Sequence, residues 1–377
     1  MTSTIGIDFR SALGQATGVG RYVRNLVWHM LEQGTGEQFV LFVDREGEEG
    51  SLPLDRSNVS RRTLTLPALQ NYFTWLQLRL PPSLWRRPVD LFHFPFYTMP
   101  LLSIGPAVVT IHDLTFELHP EWFSRRSRLS TRRFARLAAR RATAILTVSE
   151  WSKKDLVEIY AVDPQRVHVI YPAVGEWNDE GSRDSGESVA RRLGVPGPFV
   201  LHVGSIHTRR NLARLLRAVA RLRQAGEDLA VILVGKVEYP YPDVARMIRD
   251  AGMSGAAVHA GYLPDADLKA LYQEARVLAV PSLYEGFGLP GVEAMALGTP
   301  VVAANTSCFP EVLGDGALLV DPLDEEAIAD AIRRAAQEGT EREALRARGR
   351  RRAARYSWER TAKETLAVYR TVLERAS

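Results

Sequence analysis

The chain has 377 residues, of which 46% are hydrophobic and 24% are charged. This length predicts two domains of roughly 150 to 200 residues each, and the hydrophobic content excludes a disordered chain or a small disulfide scaffold. The single cysteine, Cys308, excludes an intrachain disulfide and a thiolate metal cluster. No apolar run approaches the roughly 18 residues of a membrane helix, and the N-terminus lacks the apolar core of a signal peptide. We therefore expect a cytoplasmic protein.

The net charge is +4, and only five of the 48 basic residues are lysines. The densest basic segment is Arg125 to Arg141, in which eight arginines alternate with Leu129, Phe134, Leu137 and Ala138. A helix there would have one basic face and a modest apolar face. This favours a solvated face over a buried stripe, and an anionic membrane surface or an acceptor phosphate is the alternative partner. Nucleic acid is not expected, because no aromatic-interleaved basic platform or zinc-finger spacing accompanies the segment.

Short apolar runs alternate with helix-length segments along most of the chain. In the first half, strands are predicted at residues 5–9, 39–43, 91–94, 107–111, 144–148 and 167–170. Helices are predicted at 20–31 and 128–142, with a less regular stretch around 69–85. In the second half, strands are predicted at 199–203, 231–234, 257–260, 277–280, 300–303 and 317–320. Such continuous aliphatic strands are typical of parallel sheets that helices cover on both faces.

The composition also divides the chain. Residues 175–198 carry five glycines and two prolines, which predicts a linker at 175–197 between an N-terminal domain, 1–174, and a C-terminal domain, 198–355. The segment 341–355 reads as a helix, and a last helix at 356–377 is expected to pack back on the N-terminal domain. The predicted fold class is α/β, with two Rossmann-like doubly wound domains whose ligand-binding edges face a central cleft.

A glycine pair follows the first predicted strand. Gly18 and Gly20 stand where a helix begins, and glycines there let backbone amides approach an anion. A plain loop-to-helix turn is the alternative. The segment is not a dinucleotide fingerprint, because it lies far from the strand and Val23 stands where the third glycine belongs. This argues against an NAD-linked oxidoreductase, one of the two alternative functions for paired α/β domains.

Two arginines, Arg209 and Arg210, follow the predicted strand 199–203 and precede a helix. Adjacent cations at the carboxyl edge of a strand suit a phosphate. By themselves they could equally be surface charges.

The most informative segment is 281–300, a glycine-rich loop between a buried strand and a helix that ends before Gly298. Glu285 lies at the start of the loop, where a carboxylate can contact a reacting group, and Glu293 lies in the first turns of the helix. A carboxylate at that second position can accept hydrogen bonds from vicinal hydroxyls, as in ribose recognition. The glycines between them expose amides to a diphosphate.

The stretch from Glu285 to Val302 resembles the E-x7-E motif of the retaining GT-B glycosyltransferases of family 4. Further pieces match in the same order along essentially the whole chain. These are Gly18-Val19-Gly20-Arg21-Tyr22, Thr110-Ile111-His112-Asp113-Leu114, Thr147-Val148-Ser149-Glu150 and the segment from Gly204 to Asn211. The first two pieces are most similar to the mannosyltransferase-like branch, which builds O-antigen and other cell-surface polysaccharides.

The resemblance implies a role for each matching position. Glu285 would contact the donor sugar and stabilise positive charge at its anomeric carbon, and His112 would reach a sugar hydroxyl or the backbone around the reaction centre. Arg209 and Arg210 would bind the donor diphosphate, although the family usually has lysine at the second position. The remaining donor-binding positions are Gly18, Gly20, Gly286, Phe287, Gly288, Leu289 and Glu293, the last binding the ribose.

The implied reaction moves a sugar from a nucleotide-diphosphate donor to a glycan or lipid-linked acceptor, with mannose from GDP-mannose as the donor that the branch suggests. No cofactor and no metal are expected. Asp265-Ala266-Asp267 has the form of a metal–nucleotide motif, but its neighbours indicate a helix N-cap with a first-turn acid. A non-catalytic nucleotide-sugar-binding subunit is the second alternative function. For the enzyme, a front-face route and a double-displacement route would each keep the configuration at the anomeric carbon.

Overall fold

The computed structural model describes residues 3–13, 18–34, 36–43, 56–63, 89–100, 105–175 and 185–376. The chain divides into two compact units. The first comprises Met1–Leu118, Arg125–Gly175 and Ser357–Ser377, and the second comprises His119–Ser124 and Glu176–Tyr356. The predicted irregular stretch at 69–85 lies outside the described residues. So do residues 176–184 of the predicted linker, whose described part contains a short helix, Gly186–Arg192.

The first unit contains a seven-stranded sheet in which all neighbouring strands are parallel. Its strands are β1 (Thr4–Asp8), β2 (Gln38–Val43), β3 (Val59–Thr63), β4 (Leu91–Phe94), β5 (Ala107–Thr110), β6 (Ala144–Thr147) and β7 (Val167–Val169). Their order is β3-β2-β1-β4-β5-β6-β7. Its helices are α1 (Gly18–Glu32), α2 (Thr115–Leu118), α3 (Arg125–Arg141) and α4 (Glu150–Tyr160), with the C-terminal helix described below.

Strand β3 was not predicted from the sequence. This strand reads Val-Ser-Arg-Arg-Thr and lies at the edge of the sheet, where its side chains are only partly buried. An edge strand needs no continuous aliphatic run, so the periodicity that identified the central strands was lacking.

The second unit contains a six-stranded parallel sheet. Its strands are β8 (Phe199–Val203), β9 (Ala230–Val234), β10 (Ala257–Gly261), β11 (Val277–Val280), β12 (Val301–Ala304) and β13 (Leu318–Val320). Their order is β10-β9-β8-β11-β12-β13. Its helices are α5 (Gly186–Arg192), α6 (Leu212–Gln224), α7 (Val244–Asp250), α8 (Asp265–Glu274), α9 (Leu289–Leu297), α10 (Phe309–Val312), α11 (Glu325–Ala336) and α12 (Thr340–Ala353).

The last helix, α13 (Trp358–Ala376), belongs to the first unit and packs against α1. Its buried stripe includes Leu366 and Tyr369, which recur at the three-residue spacing of one helix face. The Oγ1 of Thr361 donates to the carbonyl of Tyr171 over 2.6 Å. No helix among the described residues is long and apolar enough to cross a membrane.

Candidate active site

The arginine pair and Glu285 lie at the ends of neighbouring strands. Arg209 and Arg210 form a 3-10 turn, Thr208–Arg210, after β8, and Glu285 follows β11. Strands β8 and β11 are hydrogen-bonded neighbours. The strand order reverses between them, because β9 and β10 extend the sheet on one side and β12 and β13 on the other. Ligands of doubly wound sheets bind at such a switch point.

Glu285 accepts hydrogen bonds from both guanidinium groups. Arg209 Nη1 donates to Glu285 Oε2 over 3.3 Å, and Arg210 Nη1 donates to Glu285 Oε1. The side chains of Arg210 and Glu285 are only 9% and 7% exposed, and that of Arg209 is 20% exposed. Buried charges are tolerated when they are paired in this way. These three residues, which we call the ionic cluster, join the sequence-predicted diphosphate clamp to the sequence-predicted sugar carboxylate.

Hydrogen bonds to the backbone N–H and carbonyl of Arg209 hold the arginine turn in place. The N–H of Arg209 donates to Nδ1 of His207 over 3.1 Å, and its carbonyl accepts from the N–H of Leu283 over 2.8 Å. Asn211 ends the turn with a left-handed φ of 59°, which asparagine tolerates better than most residues. Its side-chain amide donates to the carbonyl of Pro281 over 3.1 Å. The turn is thereby tied to the segment that carries Glu285.

Gly204 accommodates the buried guanidinium of Arg210. A Cβ at Gly204 would lie 3.1 Å from Cζ of Arg210, and the φ of 141° strains any residue with a side chain. Arg210 replaces the lysine that the family resemblance leads one to expect, and the close approach of Gly204 provides the space for the larger group.

The loop after Glu285 is equally constrained. The Glu285 N–H donates to Ser307 Oγ over 3.1 Å. Gly288 is the N-cap of α9 with a φ of 80°, and a Cβ there would lie 2.6 Å from the Phe309 ring. Only glycine fits at this position, so the amides at the start of α9 have one defined orientation.

The other predicted loop residues are wholly or partly buried. Gly286 and Phe287 are buried, and Leu289 is the half-buried first residue of α9. The Phe287 ring meets the Tyr356 ring edge-on, with the centroids 5.3 Å apart. A donor contact from Phe287 would therefore come from its backbone, and the donor-binding role of this loop stays a prediction.

Glu293 is positioned by Tyr272, a residue that no sequence motif had indicated. Tyr272, on α8, is fully buried, and its hydroxyl donates to Glu293 Oε2 over 2.8 Å. The Tyr272 carbonyl accepts from Thr299 Oγ1 over 2.5 Å. Glu293 is itself buried, at 7% exposure. The bond from Tyr272 fixes the orientation of the carboxylate that we expect to bind ribose.

The short segment His119–Ser124 belongs to the second unit and packs on the arginine turn. The rings of Trp122 and Phe123 lie 6.2 Å and 6.1 Å from that of His207. Burial and the neighbouring Arg209 charge lower the pKa of His207 to about 4. His207 is therefore neutral at pH 7, as its role as the acceptor of the Arg209 N–H requires.

In the first unit, His112 follows β5 and is half-buried. Its Nε2 lies 3.1 Å from the carbonyl of Pro95, so Nε2 carries the proton and Nδ1 is the acceptor. Burial lowers the pKa of His112, although the bond to Pro95 and the nearby Asp113 act in the opposite direction. The rings of His112 and Tyr22 pack edge to face, with their centroids 4.9 Å apart. His112 is thus a neutral hydrogen-bond acceptor at neutral pH.

The predicted boundary of the first helix was wrong by two residues. Helix α1 begins at Gly18, so Gly18 and Gly20 lie in its first turn, where backbone N–H groups have no intrahelical partner. Gly18 is exposed and Gly20 is buried. Thr17, which precedes them, lies outside the described residues.

The basic segment forms the helix α3, which buries Ala135, Ala138 and Ala139. Arg132 Nε and Arg136 Nε donate to the buried carboxylate of Glu117, over 2.5 Å and 2.9 Å. These are two of the eight arginines in the helix. The predicted buried stripe is thus confirmed only at Ala138, because Leu129 is exposed and Phe134 and Leu137 are partly buried.

The Asp265 prediction needs one correction. Pro264 occupies the N-cap of α8, so Asp265 and Asp267 lie within the first turn. The helix dipole stabilises carboxylates at this position. Arg192 Nη2 donates to Asp267 Oδ2 over 3.1 Å. Among the described residues, no group of three or more His, Cys, Asp or Glu side chains could hold a metal ion.

Two family models match the chain. Residues 16–175 match Glycosyltransferase Family 4, and residues 190–352 match Glycosyl transferases group 1. The O-antigen chain mannosyltransferase B of Escherichia coli is 30% identical over 369 residues, which cover 94% of this chain and 96% of that protein. The chain belongs to glycosyltransferase family 4. Its enzyme class is therefore glycosyltransferase, and the oxidoreductase alternative is set aside.

One further relative and two solved structures are also similar to the chain. The MMP alpha-(1->4)-mannosyltransferase of Mycolicibacterium hassiacum is 36% identical over 243 residues, which cover 63% of this chain and 56% of that protein. HepE of Anabaena, solved with UDP and glucose, has a TM-score of 0.74 at 18% identity, with coverage of 98% of this chain and 100% of that one. WaaG, a glycosyltransferase involved in lipopolysaccharide biosynthesis, has a TM-score of 0.70 at 17% identity, covering 97% and 99%. These likenesses confirm the predicted GT-B architecture of two Rossmann-like domains.

Proposed function

We propose that this glycosyltransferase moves mannose from GDP-mannose to a hydroxyl of a glycan or lipid-linked acceptor in cell-surface polysaccharide synthesis, and that the configuration at the anomeric carbon is kept. The ionic cluster carries the proposal, because it brings two guanidinium groups and a carboxylate together at the ligand-binding edge of the second sheet. The choice of mannose is supported by the names of the relatives from Escherichia coli and Mycolicibacterium hassiacum.

The departing diphosphate needs fixed positive charge. A guanidinium has five N–H donors in a planar fork, so it can bond a carboxylate through one edge and a phosphate through another. In our proposal Arg209 and Arg210 bind the diphosphate in this way while they hold Glu285. Charges that are already in place cost no reorganisation as the bond to the leaving group breaks. The proposed reaction therefore proceeds without a divalent metal.

Glu285 stabilises the positive charge that develops on the sugar. As the bond between the anomeric carbon and the diphosphate oxygen breaks, the ring becomes oxocarbenium-like, and a carboxylate with a fixed orientation lowers its energy. The acceptor oxygen forms its bond on the face that the diphosphate leaves, and the leaving phosphate takes the acceptor proton. This front-face route keeps the anomeric configuration.

Glu293 binds the donor rather than the reacting centre. Its carboxylate is buried and oriented by Tyr272, so it can accept bonds from the two ribose hydroxyls. The amides of Gly286, Phe287, Gly288 and Leu289 complete this site in our proposal, and the helix start at Gly18 and Gly20 is proposed separately as a donor-binding group of the first unit. These contacts are the same in the ground state and the transition state, so they act on binding.

His112 is the neutral partner of a sugar hydroxyl. Because its Nε2 donates to Pro95, Nδ1 accepts, and the lowered pKa keeps it unprotonated at neutral pH. We propose that Nδ1 accepts a hydrogen bond from a hydroxyl of the bound sugar.

We also propose that the exposed face of α3 contacts an anionic membrane, where a lipid-linked acceptor would reside. Leu129 is 66% exposed, and helical spacing places it in the middle of the exposed Arg125, Arg126, Arg133 and Arg140. An apolar side chain surrounded by cations suits an anionic bilayer surface. Each cation near such a surface contributes about 1 kcal/mol, which salt weakens.

Co-sedimentation with anionic vesicles at low salt tests this contact. We expect binding that is lost when Arg125, Arg126 and Arg133 are replaced by glutamine. Replacement of Arg348, Arg351 and Arg355, basic residues of the second unit, serves as a control of equal charge change. Equal binding by both triple variants, or no binding of the wild-type protein, would contradict the membrane proposal.

A panel of nucleotide sugars tests the donor. A ligand at 100 times its Kd stabilises the folded protein by about 2.7 kcal/mol, so GDP-mannose should raise the melting temperature more than UDP-glucose does. It should also be hydrolysed slowly without an acceptor. Stabilisation with neither hydrolysis nor transfer would instead identify a non-catalytic nucleotide-sugar-binding subunit. A response to uridine nucleotides alone would contradict the choice of GDP-mannose.

A further inference from the structure

Two polar bonds link β4 and β5 close to their carboxyl ends. His93 Nε2 lies 2.8 Å from Thr110 Oγ1. Two residues further along each segment, His112 Nε2 donates to the Pro95 carbonyl over 3.1 Å. Alternate residues of an extended segment point to the same side of a sheet. The two bonds are therefore consecutive links between the same pair of segments, and His112 takes part in the outer one.

Two tyrosines from helices extend this arrangement. The Tyr22 ring, on α1, contacts the His112 ring edge-on, with the centroids 4.9 Å apart. The Tyr369 hydroxyl, on α13, lies 2.6 Å from His93 Nδ1. Tyr369, His93 and Thr110 thus form a hydrogen-bonded chain from the C-terminal helix to the segment that carries His112. All three side chains are fully buried.

Each hydroxyl in this chain has a required role. Burial lowers the pKa of His93 to about 3, so at pH 7 one of its ring nitrogens donates and the other accepts. Tyr369 and Thr110 must take the complementary roles. Removal of either hydroxyl leaves a buried ring nitrogen without its hydrogen-bond partner, which is energetically costly. The ring can lower this cost by turning or shifting toward another partner. Any shift reaches Thr110, which lies two residues before His112 in the same segment.

We propose that Tyr369, His93 and Thr110 are positioning residues for the transfer reaction. They fix the ring of His112 through the linked ends of β4 and β5, so that Nδ1 of His112 is presented to the sugar hydroxyl. This proposal rests on the role given to His112 in the proposed function. It makes the C-terminal helix a part of the catalytic machinery of the first unit as well as of its packing.

The variants are chosen to separate positioning from packing. Thr110→Val keeps the branched shape and removes the hydroxyl, whereas Thr110→Ser keeps the hydroxyl. Tyr369→Phe removes the other hydroxyl. The control is Thr365→Val, one helical turn before Tyr369, because Thr365 is equally buried and its Oγ1 donates to the helix's own carbonyl at Thr361.

Turnover is measured below the unfolding transition of each variant. We expect Thr110→Val and Tyr369→Phe each to lower kcat about tenfold, the effect of one lost buried hydrogen bond, with donor KM unchanged. Thr110→Ser and Thr365→Val should keep near wild-type kcat. In a His112→Ala background, Thr110→Val should cause no further loss, because residues that act through one group are not additive.

The second readout is independent of activity. In protein labelled with 15N-histidine, the ring-nitrogen signals of His112, assigned with the His112→Ala variant, should shift in Thr110→Val and Tyr369→Phe and stay in place in Thr365→Val. If His112→Ala keeps wild-type turnover, the role of His112 in the proposed function is wrong, while the signals still show whether the network holds the ring. If His112→Ala loses transfer but both network variants keep kcat and the His112 signals, the positioning proposal is overturned.

Discussion

The two units bury polar groups at their strand ends in opposite ways. In the second unit the groups are charged, and Arg209 and Arg210 enclose the carboxylate of Glu285. In the first unit they are neutral, and burial keeps the pKa values of His93 and His112 below that of an ordinary histidine. Both arrangements avoid an unpaired buried charge, one by pairing and the other by neutrality. Paired charges suit a diphosphate and a developing cation, and neutral acceptors suit hydroxyl groups.

The largest effect is expected at Glu285. Glu285→Gln removes charge that stabilises the transition state and should lower kcat by about 100- to 1,000-fold, as for the loss of one preorganised contact. Glu293→Gln should mainly raise the donor KM, because ribose bonds exist in the ground state and the transition state alike. Steady-state kinetics with varied donor concentrations distinguishes the two. Equal kcat losses with unchanged KM in both variants would contradict this division of roles.

The arginines provide the next test. Arg209→Ala and Arg210→Ala should each slow transfer about 100-fold or more, by the same estimate. Lysine keeps the charge but not the planar fork, so Arg209→Lys, at the more exposed position, should recover more activity than Arg210→Lys, whose guanidinium lies against Gly204. Single-turnover rates with saturating donor are the measurement. Full activity of either alanine variant would exclude that arginine from the clamp.

A smaller effect is expected on stability in acid. The folded-state pKa of His93, about 3, lies below the unfolded value near 6.5. As the pH falls below 6.5, His93 binds a proton in the unfolded chain but not in the folded protein. The free energy of unfolding therefore decreases until the folded state is also protonated, near pH 3. Between pH 6.5 and 5 the free energy of unfolding should decrease by about 2 kcal/mol.

Urea unfolding at several pH values measures that loss. His93→Gln should lower the stability at pH 7 but flatten its decline toward pH 5. The matched control is Thr365→Val, which is buried in the same unit and adds no titrating group. If the decline is as steep in His93→Gln as in the control, His93 is not held neutral in the folded protein.

The smallest effect, close to none, is expected from removing metal. Sugar transfer should persist in excess EDTA, because the arginines supply the positive charge, and Asp267→Asn should keep activity, since Asp267 bonds Arg192 at the start of a helix. Elemental analysis verifies that the enzyme is metal-free. Activity that disappears with EDTA and returns with Mg²⁺ or Mn²⁺ would show that the ionic cluster is insufficient.

Much of the fold could be predicted because central parallel strands are continuous aliphatic runs. The same signal failed at β3, whose edge position tolerates Arg61 and Arg62. In the active site, the two arginines and Glu285 could be predicted as separate pieces from their places after strands. Their direct bonding could not, because Arg210 and Glu285 are 75 residues apart in sequence and are joined only by the neighbouring positions of β8 and β11.

The residues that orient the site were harder to predict. Tyr272 and Ser307 stand in helix and loop segments with no motif, and their roles depend on hydroxyls that meet Glu293 and the Glu285 backbone only after packing. Asn211 alone carried a local signal, since asparagine after a turn favours the left-handed conformation that it adopts. Motifs identify the groups that contact a ligand, and the tertiary structure identifies those that hold them.

The stereochemistry of the product tests the central claim most directly. Wild-type enzyme, GDP-mannose with its α-linked sugar labelled at C1, and a lipid-linked or glycan acceptor are followed by NMR, and the one-bond C1–H1 coupling of the product reports its anomeric configuration. Because the ionic cluster stabilises both the departing diphosphate and the charge on the sugar, we predict an α-linked product, formed about 100- to 1,000-fold more slowly by Glu285→Gln. A β-linked product, or normal transfer by Glu285→Gln, would contradict the proposed role of the cluster.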